Sequence, residues 1–292
     1  MTMFDDVYPP IEEVRRAVTL ALAEDIGPLG DLTGSLVPAD AVARASFVAR
    51  QPGVIAGMSC VRETCRELDE GLELTVLIED GGVVEAGSIV ARVAGPFRSL
   101  LIAERTALNF LCHLSGVATL TRRYVKAATA ANPAAKVRDT RKTTPGLRAL
   151  EKAAVRAGGG INHRASLSGG VLVKDNHLGG VSLADAVVTA IERWPGRFIE
   201  VECDDLEQVT LAVEAGAAGV MCDNMSPDDV RQAVEIVLAH PRGRAGAVLV
   251  EASGGITLEN IAAYALAGAN LISVGAITHS APVLDIGLDI GD

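Results

Sequence analysis

The sequence predicts an α/β protein in which a small N-terminal domain with a β-sheet precedes a six-stranded parallel barrel. From residue 135 onwards, short apolar runs alternate with amphipathic helical patterns, which is typical of parallel strands covered by helices. Neither a G-x-G-x-x-G sequence after the first strand nor a Walker A sequence is present, and this favours a barrel over an open nucleotide-binding sheet. The strand-like runs cover residues 136–140, 171–174, 198–202, 219–223, 247–251 and 271–275. The helical patterns cover residues 182–194, 205–216, 226–240 and 257–268. Because a full barrel has eight units, six units indicate a shortened variant.

The composition of the 292-residue chain excludes several classes of protein. Hydrophobic residues make up 49% and charged residues 22%, which excludes disordered and coiled-coil chains. Aromatic residues make up 3% and the net charge is -11, so we expect neither nucleic acid nor a membrane as a partner. The acidic start predicts no export signal, and the lack of a long apolar run predicts no membrane span. Five cysteines without a C-x-x-C pair favour a reducing, cytoplasmic compartment over a zinc site or a disulfide scaffold.

The N-terminal part of the chain contains the elements of the smaller domain and a connector. Apolar residues recur at helical spacing over residues 11–22 after two prolines, which predicts an amphipathic helix that ends near Gly27. Residues 45–96 are short β-prone segments separated by Gly-containing turns, which predicts a small sheet. Residues 99–131 predict either one long helix or two helices broken near Ser115-Gly116.

Polar residues follow the end of nearly every predicted barrel strand. Because catalytic residues of such barrels collect at the C-terminal ends of the strands, these positions form the candidate site. They are Asp139 to Lys142, Lys174 to His177, Glu202, Asp223, Glu251, Ser253 to Gly255, and Ser273 with Gly275. A Gly-rich loop between the first two strands adds His163 and Arg164.

Five potential cations fall at these positions of an otherwise acidic chain. They are Arg141, Lys142, His163, Arg164 and Lys174. Cations gathered in one pocket repel one another, so we expect them to need a multiply anionic ligand. Arginine offers a planar fork that suits carboxylates, and lysine offers a compact charge. The substrate is therefore expected to carry several carboxylate or phosphate groups.

Carboxylates and Gly-containing turns predict a metal and a phosphate beside these cations. Glu202 and Asp223 end consecutive strands without a basic sequence neighbour, and carboxylate oxygens suit a hard cation such as Mg²⁺ that carries phosphates. Ser253 to Gly255 lead into a helix expected near Thr257, whose amides and positive end would hold a phosphate. Ser273 to Ala276 repeat the arrangement one strand later, at the usual phosphate site of barrels.

Each of these features also has a purely structural interpretation. A Gly-Gly pair after a strand is often only a turn, and Glu202 and Asp223 taken singly would be caps or solvated loop residues. Arg141-Lys142 would be a solvated basic turn, and Arg105 would pair with a surface acid such as Glu104. The cysteines are simplest as small core residues. The histidines interpreted as structural are His113, His177, His240 and His279.

Several segments are more specific than a generic barrel. Residues 139–164 run from D-T-R-K-T-T-P-G to G-G-G-I-N-H-R, and V-L-V-K-D-N-H follows at 171–177. Together with further segments they closely resemble the quinolinate phosphoribosyltransferase family, the decarboxylating nicotinate-nucleotide pyrophosphorylases, over essentially the whole chain. The further segments are residues 104–119, 200–202, 222–224, 251–255 and 273–290.

The resemblance implies an N-terminal α/β sandwich domain followed by an incomplete α/β barrel. The sandwich would cover residues 1–112 and the barrel residues 113–279, with residues 280–292 packing back on the sandwich. The implied reaction joins quinolinate to phosphoribosyl pyrophosphate with Mg²⁺ and yields nicotinate mononucleotide, pyrophosphate and CO₂ in NAD biosynthesis. The resemblance also implies a homodimer or an assembly of dimers.

The resemblance assigns roles to individual residues as well. Lys142, Glu202 and Asp223 match positions that handle phosphoribosyl pyrophosphate and its metal, and Arg105 matches a residue that reaches into the neighbouring subunit's site. The positions that match those binding quinolinate are Arg141, His163, Arg164 and Lys174, with Thr140 also among the substrate-binding residues. The positions that match the 5′-phosphate loops are Ser253, Gly254, Gly255, Ser273, Val274, Gly275 and Ala276.

Three other functions stay open at this point. Lys174 at a strand end could be the Schiff-base lysine of an aldolase-type barrel enzyme. A molybdenum-transport-associated relative shares much of the barrel sequence, but the intact K-D-N-H and G-G-G-I-N-H-R strings favour the biosynthetic enzyme. A non-catalytic binding module could keep the phosphate loops, and the full set of cations and carboxylates argues against it.

Overall fold

The computed structural model describes residues 8–174 and 179–291, which form ten α-helices and twelve strands. The helices are α1 (Ile11–Ile26), α2 (Met58–Leu68), α3 (Phe97–Ala131), α4 (Arg148–Ala157), α5 (Leu183–Arg193), α6 (Leu206–Ala215), α7 (Pro227–Ala239), α8 (Pro241–Arg244), α9 (Ile261–Leu266) and α10 (Ala276–His279). The strands are β1 (Val42–Ala49), β2 (Gly53–Val54), β3 (Glu73–Val76), β4 (Val83–Val84), β5 (Ile89–Pro96), β6 (Lys136–Arg138), β7 (Val171–Val173), β8 (Ile199–Cys203), β9 (Gly219–Asp223), β10 (Leu249–Ser253), β11 (Leu271–Ser273) and β12 (Ile286–Gly291).

The chain divides into two compact units. The first unit contains residues 1–122, 142–159 and 276–292, and the second contains residues 123–141 and 160–275. The boundary was predicted between residues 112 and 113, whereas this division passes from the first unit to the second after residue 122; both positions lie inside α3.

The first unit is built on a four-stranded antiparallel sheet in the order β12-β1-β5-β3. The last strand, β12, pairs with β1 along its whole length, with Leu288 opposite Phe47. Side chains from this sheet pack with those of α2 and α3 into one apolar core, which includes Phe47, Met58, Leu100, Leu111 and Leu284. The C-terminal segment therefore completes a sheet that begins near the N-terminus.

The second unit contains the predicted parallel sheet. Its six strands lie in the order β6-β11-β10-β9-β8-β7, and every neighbouring pair is parallel. β6 and β7 are the two edges of this order, and a single bridge joins Arg138 of β6 to Ile161. The predicted fold class, an incomplete six-stranded barrel after a small α/β domain, is confirmed.

Side-chain caps set where three of the helices between these strands begin. Ser182, Asp205 and Ser226 each accept a hydrogen bond from the backbone amide of the third helical residue of α5, α6 and α7. Such caps satisfy amides that the helix itself leaves without a partner. Gly216 ends α6 with φ of 105°, a backbone conformation that favours glycine.

The segment predicted as one or two helices is a single helix of 35 residues, α3. The helix is not broken at Ser115 and Gly116, because both residues make close contacts with other segments of the first unit. The Ser115 hydroxyl bonds to the backbone of Ala56. A Cβ at Gly116 would lie 2.1 Å from the carbonyl oxygen of Pro282. Neither α3 nor any other helix in the described part of the chain is long and apolar enough to cross a membrane.

The predicted start of the last long helix, near Thr257, is wrong, because α9 begins only at Ile261. The Asn260 side chain accepts a hydrogen bond from the Thr257 amide at 2.8 Å and donates one to the Gly255 carbonyl at 2.9 Å. Asparagine side chains compete with helical hydrogen bonds in this way. Residues 257–260 therefore form a turn before the helix.

Replacing Gly116 by alanine is expected to destabilise the protein by about 1–3 kcal/mol, because the new methyl group has to displace the Pro282 backbone. Gly291→Ala is the control, since no atom lies within 4 Å of the position that a Cβ would take there. Urea unfolding of both variants measures the difference in the free energy of unfolding. Equal stability of the two variants would contradict this account of the close approach.

Candidate active site

The two faces of the parallel sheet have different chemistry. Residues that alternate along the strands, such as Val201, Val220 and Ile272, are buried and apolar. The other face carries charged and hydroxyl side chains, and the strand register places them side by side. The residues on this polar face are Arg138, Glu200, Glu202, Asp223, Glu251, Ser253 and Ser273.

Four of the five predicted cations belong to this second unit. Arg141 follows β6, His163 and Arg164 lie on the loop before β7, and Lys174 directly follows β7. Burial, and then the positive charge of Arg141, lower the pKa of Arg164, while Glu200 acts in the opposite direction. The two guanidinium groups are therefore close enough to repel each other, as the sequence predicted.

One carboxylate of the polar face offsets one of these cations, although Glu202 has no basic neighbour in the sequence. Glu202 accepts a charge-assisted hydrogen bond from the Lys174 ammonium group. The sequence did not show this pair because 28 residues separate the two positions. They meet because β7 and β8 are parallel neighbours. The cluster is thus partly neutralised by the protein itself.

A buried ion-pair network lies deeper on the polar face, and the sequence analysis missed two of its members as functional residues. The Arg138 guanidinium donates a hydrogen bond to Glu251 and lies 3.5 Å from Glu200. The Ser273 hydroxyl donates to the other Glu251 oxygen. Glu200 lies inside β8, and Arg138, although it is the last residue of β6, fell inside the longer strand predicted over residues 136–140. A charged residue within an apolar strand was the signal that could have found them.

The loop that carries His163 is fixed to the end of β6. The Asp139 carboxylate, which is completely buried, accepts hydrogen bonds from the His163 amide at 2.7 Å and from the Asn162 side chain at 2.6 Å. The His163 ring itself is buried, with Nε2 3.4 Å from Glu200. Arg164 donates to the Gly170 carbonyl at 2.9 Å.

The first predicted phosphate loop follows β10. Gly254 and Gly255 have φ of 87° and 60°, and a Cβ at Gly254 would lie 2.2 Å from the side-chain oxygen of Asn224. Asn224 itself has φ of 54°. Its backbone N–H donates a hydrogen bond to the Ser253 carbonyl, and its side-chain Nδ2 donates one to the Asp223 carboxylate. Asn224 thus ties this loop to the end of β9. The predicted contribution of a helix end is absent, since residues 257–260 form a turn and α9 has six residues.

The second predicted phosphate loop, residues 273–276, offers fewer free groups than expected. The Ser273 hydroxyl bonds to Glu251, and the Val274 amide donates to the Arg138 carbonyl at 2.9 Å. Val274 is also buried. Ser273 and Val274 therefore form hydrogen bonds within the sheet. Gly275 and Ala276, both half-buried, are the more exposed part of the loop.

The remaining predicted residues lie elsewhere in the chain. Thr140 is half-buried after β6 in the second unit, whereas Lys142 and Arg105 are exposed residues of the first unit. Arg105 forms no ion pair with Glu104 or with any other described residue. Asp175, Asn176 and His177, which complete the K-D-N-H motif, lie outside the described residues.

The segment that carries Lys142 is anchored within the first unit. The Thr278 hydroxyl donates to the Lys142 carbonyl at 2.9 Å, and the buried Glu151 carboxylate accepts from the Thr144 amide at 3.1 Å. His113 Nε2 lies 2.9 Å from the same carboxylate. The structural role predicted for His113 is consistent with this contact.

An incomplete parallel barrel with cations and carboxylates on one polar face defines an α/β enzyme that takes an anionic substrate. The models of the quinolinate phosphoribosyl transferase N-terminal and C-terminal domains match residues 31–115 and 117–289. The chain therefore belongs to the quinolinate phosphoribosyl transferase family, as its motifs predicted.

Named relatives match almost the whole chain. The nicotinate-nucleotide pyrophosphorylase [carboxylating] of Mycobacterium leprae is 42% identical over 96% of this chain and 98% of its own length. The probable enzyme of the same name from Bacillus subtilis is 39% identical over 95% of this chain and 93% of its own length. The solved nicotinate-nucleotide pyrophosphorylase of Francisella tularensis superimposes with a TM-score of 0.91 at 37% identity, covering 100% of both chains.

The buried network predicts that the protein loses stability as the pH rises. Burial, and then the negative charge of Glu200, raise the pKa of Glu251 to about 7 from the usual 4.5. The folded protein then binds more protons than the unfolded chain between these values, so the contribution of Glu251 is full below pH 4.5 and is lost as the pH rises through 7. We expect the urea midpoint to fall from pH 5 to pH 8, and Glu251→Gln to flatten this dependence.

Glu63→Gln is the matched control for this measurement. Glu63 is also buried, but its hydrogen bonds with Arg66 lower its pKa. Its contribution to stability is therefore lost only at acidic pH. An unchanged slope in Glu251→Gln between pH 5 and pH 8 would show that Glu251 does not titrate as described.

Proposed function

We propose that this chain is a carboxylating nicotinate-nucleotide pyrophosphorylase. It would transfer the phosphoribosyl group of phosphoribosyl pyrophosphate to quinolinate, releasing pyrophosphate and CO₂ and forming nicotinate mononucleotide for NAD biosynthesis. The observation that carries the proposal is that Arg141, Arg164 and Lys174 all lie in the second unit of an acidic chain, with Arg141 close enough to Arg164 to lower its pKa and Lys174 paired with Glu202. Membership of the family supports the same reaction.

The quinolinate subsite would be formed by the cations of the second unit. Quinolinate carries two adjacent carboxylates, and the forked guanidinium groups of Arg141 and Arg164 suit them. Lys174 would leave Glu202 to bind a substrate carboxylate, or would bind both. Thr140 and His163 would complete the contacts, His163 from a loop that Asp139 holds in place.

The phosphoribosyl pyrophosphate subsite would use the ends of β8, β9 and β10. Asp223 and Ser253 are register partners, and Glu202 is on the same face of the neighbouring strand. Both carboxylates are half-buried, so they offer oxygen ligands of the kind that Mg²⁺ prefers. The residues therefore fit Mg²⁺, which would neutralise charge on the departing pyrophosphate. The loop at Gly254 and Gly255 would bind a phosphate group; for Lys142 the family resemblance implies a role with phosphoribosyl pyrophosphate.

The chain's own residues would act by binding and orientation. Held by cations at both carboxylates, the quinolinate nitrogen faces the anomeric carbon of the ribose; the new bond forms from nitrogen to this carbon as the bond to pyrophosphate breaks. CO₂ then departs from the carbon next to the positive ring nitrogen; the electron pair of the broken bond stays on that carbon, where the adjacent positive charge stabilises it, and a proton from water takes the place of CO₂. No protein nucleophile is needed. The ion pair of Lys174 with Glu202 uses the ammonium form, whereas a Schiff-base lysine reacts as a neutral amine.

Arg105 would contribute to the site of a second copy of the chain in a homodimer or an assembly of dimers. It is exposed on α3 and forms no ion pair with the described residues, so its charge is available to an anionic ligand. A cytoplasmic location is part of the same proposal and is supported by five cysteines that are all free thiols.

The direct test is to incubate the purified protein with quinolinate, phosphoribosyl pyrophosphate and Mg²⁺ and to follow CO₂ release and nicotinate mononucleotide formation. Equal amounts of the two products are expected. A folded protein that releases no CO₂ in this assay would refute the proposed function.

Alanine substitution of Arg141 or Lys174 is expected to weaken quinolinate binding by roughly 10–150-fold, because each removes a charged hydrogen bond worth about 1.5–3 kcal/mol. Lys126→Ala, an exposed lysine of α3, is the control and should bind normally. Titration calorimetry with quinolinate measures the three dissociation constants. Near-normal affinity in both variants would refute the assignment of these residues.

Nicotinate, which has one carboxylate fewer, is expected to bind at least about tenfold more weakly than quinolinate, because one group of cations is then left without its anionic partner. Competition by nicotinate in the CO₂ assay gives the ratio of affinities. Equal affinity for the two acids would show that the cation cluster does not recognise a dicarboxylate.

A further inference from the structure

The buried network of the second unit contains a contact that the proposed reaction has not yet used. Glu200 is 2% exposed, and one of its oxygens lies 3.4 Å from His163 Nε2. Its other oxygen lies 3.5 Å from the Arg138 guanidinium. Glu200 therefore joins the interior of the sheet to a residue of the proposed quinolinate subsite.

Arg138 and Glu251 hold Glu200 from the opposite side. The Arg138 guanidinium contacts both carboxylates, and Ser273 donates a hydrogen bond to Glu251. Arg138, Glu251 and Ser273 are 8%, 0% and 4% exposed. Close-packed side chains with this many polar contacts have few alternative positions. The Glu200 carboxylate therefore has little room to move away from His163 Nε2.

Stability alone is a poor explanation for this network. Removing charged groups from water costs so much that a buried ion pair is often no more stabilising than apolar residues of the same volume. Two carboxylates share one guanidinium here, which makes the arrangement costlier still. Because apolar residues could stabilise the sheet as well, a charged network that ends at a site residue fits a role in the site.

Metal binding is also a poor explanation. His163, Glu200 and Glu251 bring potential ligand atoms within 4.8 Å of one another, and these residue types do bind metals. However, the Arg138 guanidinium already contacts both carboxylates. The guanidinium therefore already supplies the positive charge that a metal ion would bring to these carboxylates.

The loop backbone and the His163 ring are held by different carboxylates. Asp139 binds the His163 amide and the Asn162 side chain, so it fixes the loop. Glu200 contacts only the imidazole among these groups. A change at Glu200 can therefore alter the ring while the loop keeps its anchor.

We propose that Glu200, held in place by Arg138 and Glu251, is a positioning residue that fixes the His163 imidazole in the quinolinate subsite. This inference rests on the proposed function. A fixed ring meets its ligand without losing rotational freedom on binding, which raises affinity. Glu200 touches no substrate in this account and acts through His163.

The test compares Glu200→Gln with Glu63→Gln, which alters a buried glutamate paired with Arg66 in the first unit. We expect Glu200→Gln to raise KM for quinolinate about tenfold or more while KM for phosphoribosyl pyrophosphate changes less than about twofold. Glu200→Asp should recover part of the loss. Glu63→Gln should leave both constants unchanged. A Glu200→Gln enzyme with an unchanged KM for quinolinate would overturn the proposal.

A second readout does not depend on activity. The ¹⁵N and ring-proton resonances of His163, assigned with His163→Gln, report the surroundings of the imidazole in the substrate-free protein. They should shift in Glu200→Gln and stay in place in Glu63→Gln; unchanged resonances in Glu200→Gln would overturn the proposal. If the wild-type protein releases no CO₂, the proposed function fails, while these spectra still decide whether Glu200 holds the ring.

Ser273→Ala is the milder variant if Glu200→Gln does not fold. It removes one hydrogen bond from Glu251 and leaves all charges in place. The same resonances should then shift, with a smaller rise in KM for quinolinate than the tenfold given above. Unchanged spectra and an unchanged KM in folded Ser273→Ala would count against the network as a positioning device.

Discussion

The contact of the Arg138 guanidinium with two buried carboxylates, Glu200 and Glu251, is the interaction on which the rest of the polar face depends. Three strands of the parallel sheet supply these side chains, β6, β8 and β10. Without the guanidinium, two carboxylates would lie together out of water, with only the Ser273 hydroxyl and the more distant His163, of the described polar groups, close to their oxygens. With it, a parallel sheet can carry charge on one face and keep an ordinary apolar face against its helices.

The same constraint explains how an acidic chain keeps several cations together. Lys174 is paired with Glu202, and the charge of Glu200 acts on Arg164 against the repulsion of Arg141. The expectation that only an anionic ligand could make this cluster tolerable was therefore incomplete. Glu202 holds Lys174 in place beforehand, and a carboxylate of the substrate would exchange with it. Preorganised charge of this kind costs little rearrangement when a ligand binds.

Sequence patterns predicted the repeating part of the fold well, because alternating apolar strands and amphipathic helices report local periodicity. All six strands of the second unit were found, with ends displaced by a few residues. The patterns did not predict contacts between distant segments. The Ser115-Gly116 pair suggested a helix break, but it is where residues 282 and 283 approach α3. The turn at residues 257–260 depends on the Asn260 side chain, which a helical pattern does not reveal.

In the candidate site, too, the sequence predicted some residues and missed others. Residues at strand ends were found because the barrel architecture places them at one edge. Glu200 was missed because it lies within β8, and Arg138 because the predicted strand ran on to residue 140, whereas β6 ends at Arg138. The most direct measurement of the central claim is a crystal structure of the protein with quinolinate. The account predicts one dicarboxylate contacted by Arg141, Arg164 and Lys174, with His163 still against Glu200. Quinolinate bound away from these three cations, or absent at saturating concentration, would contradict it.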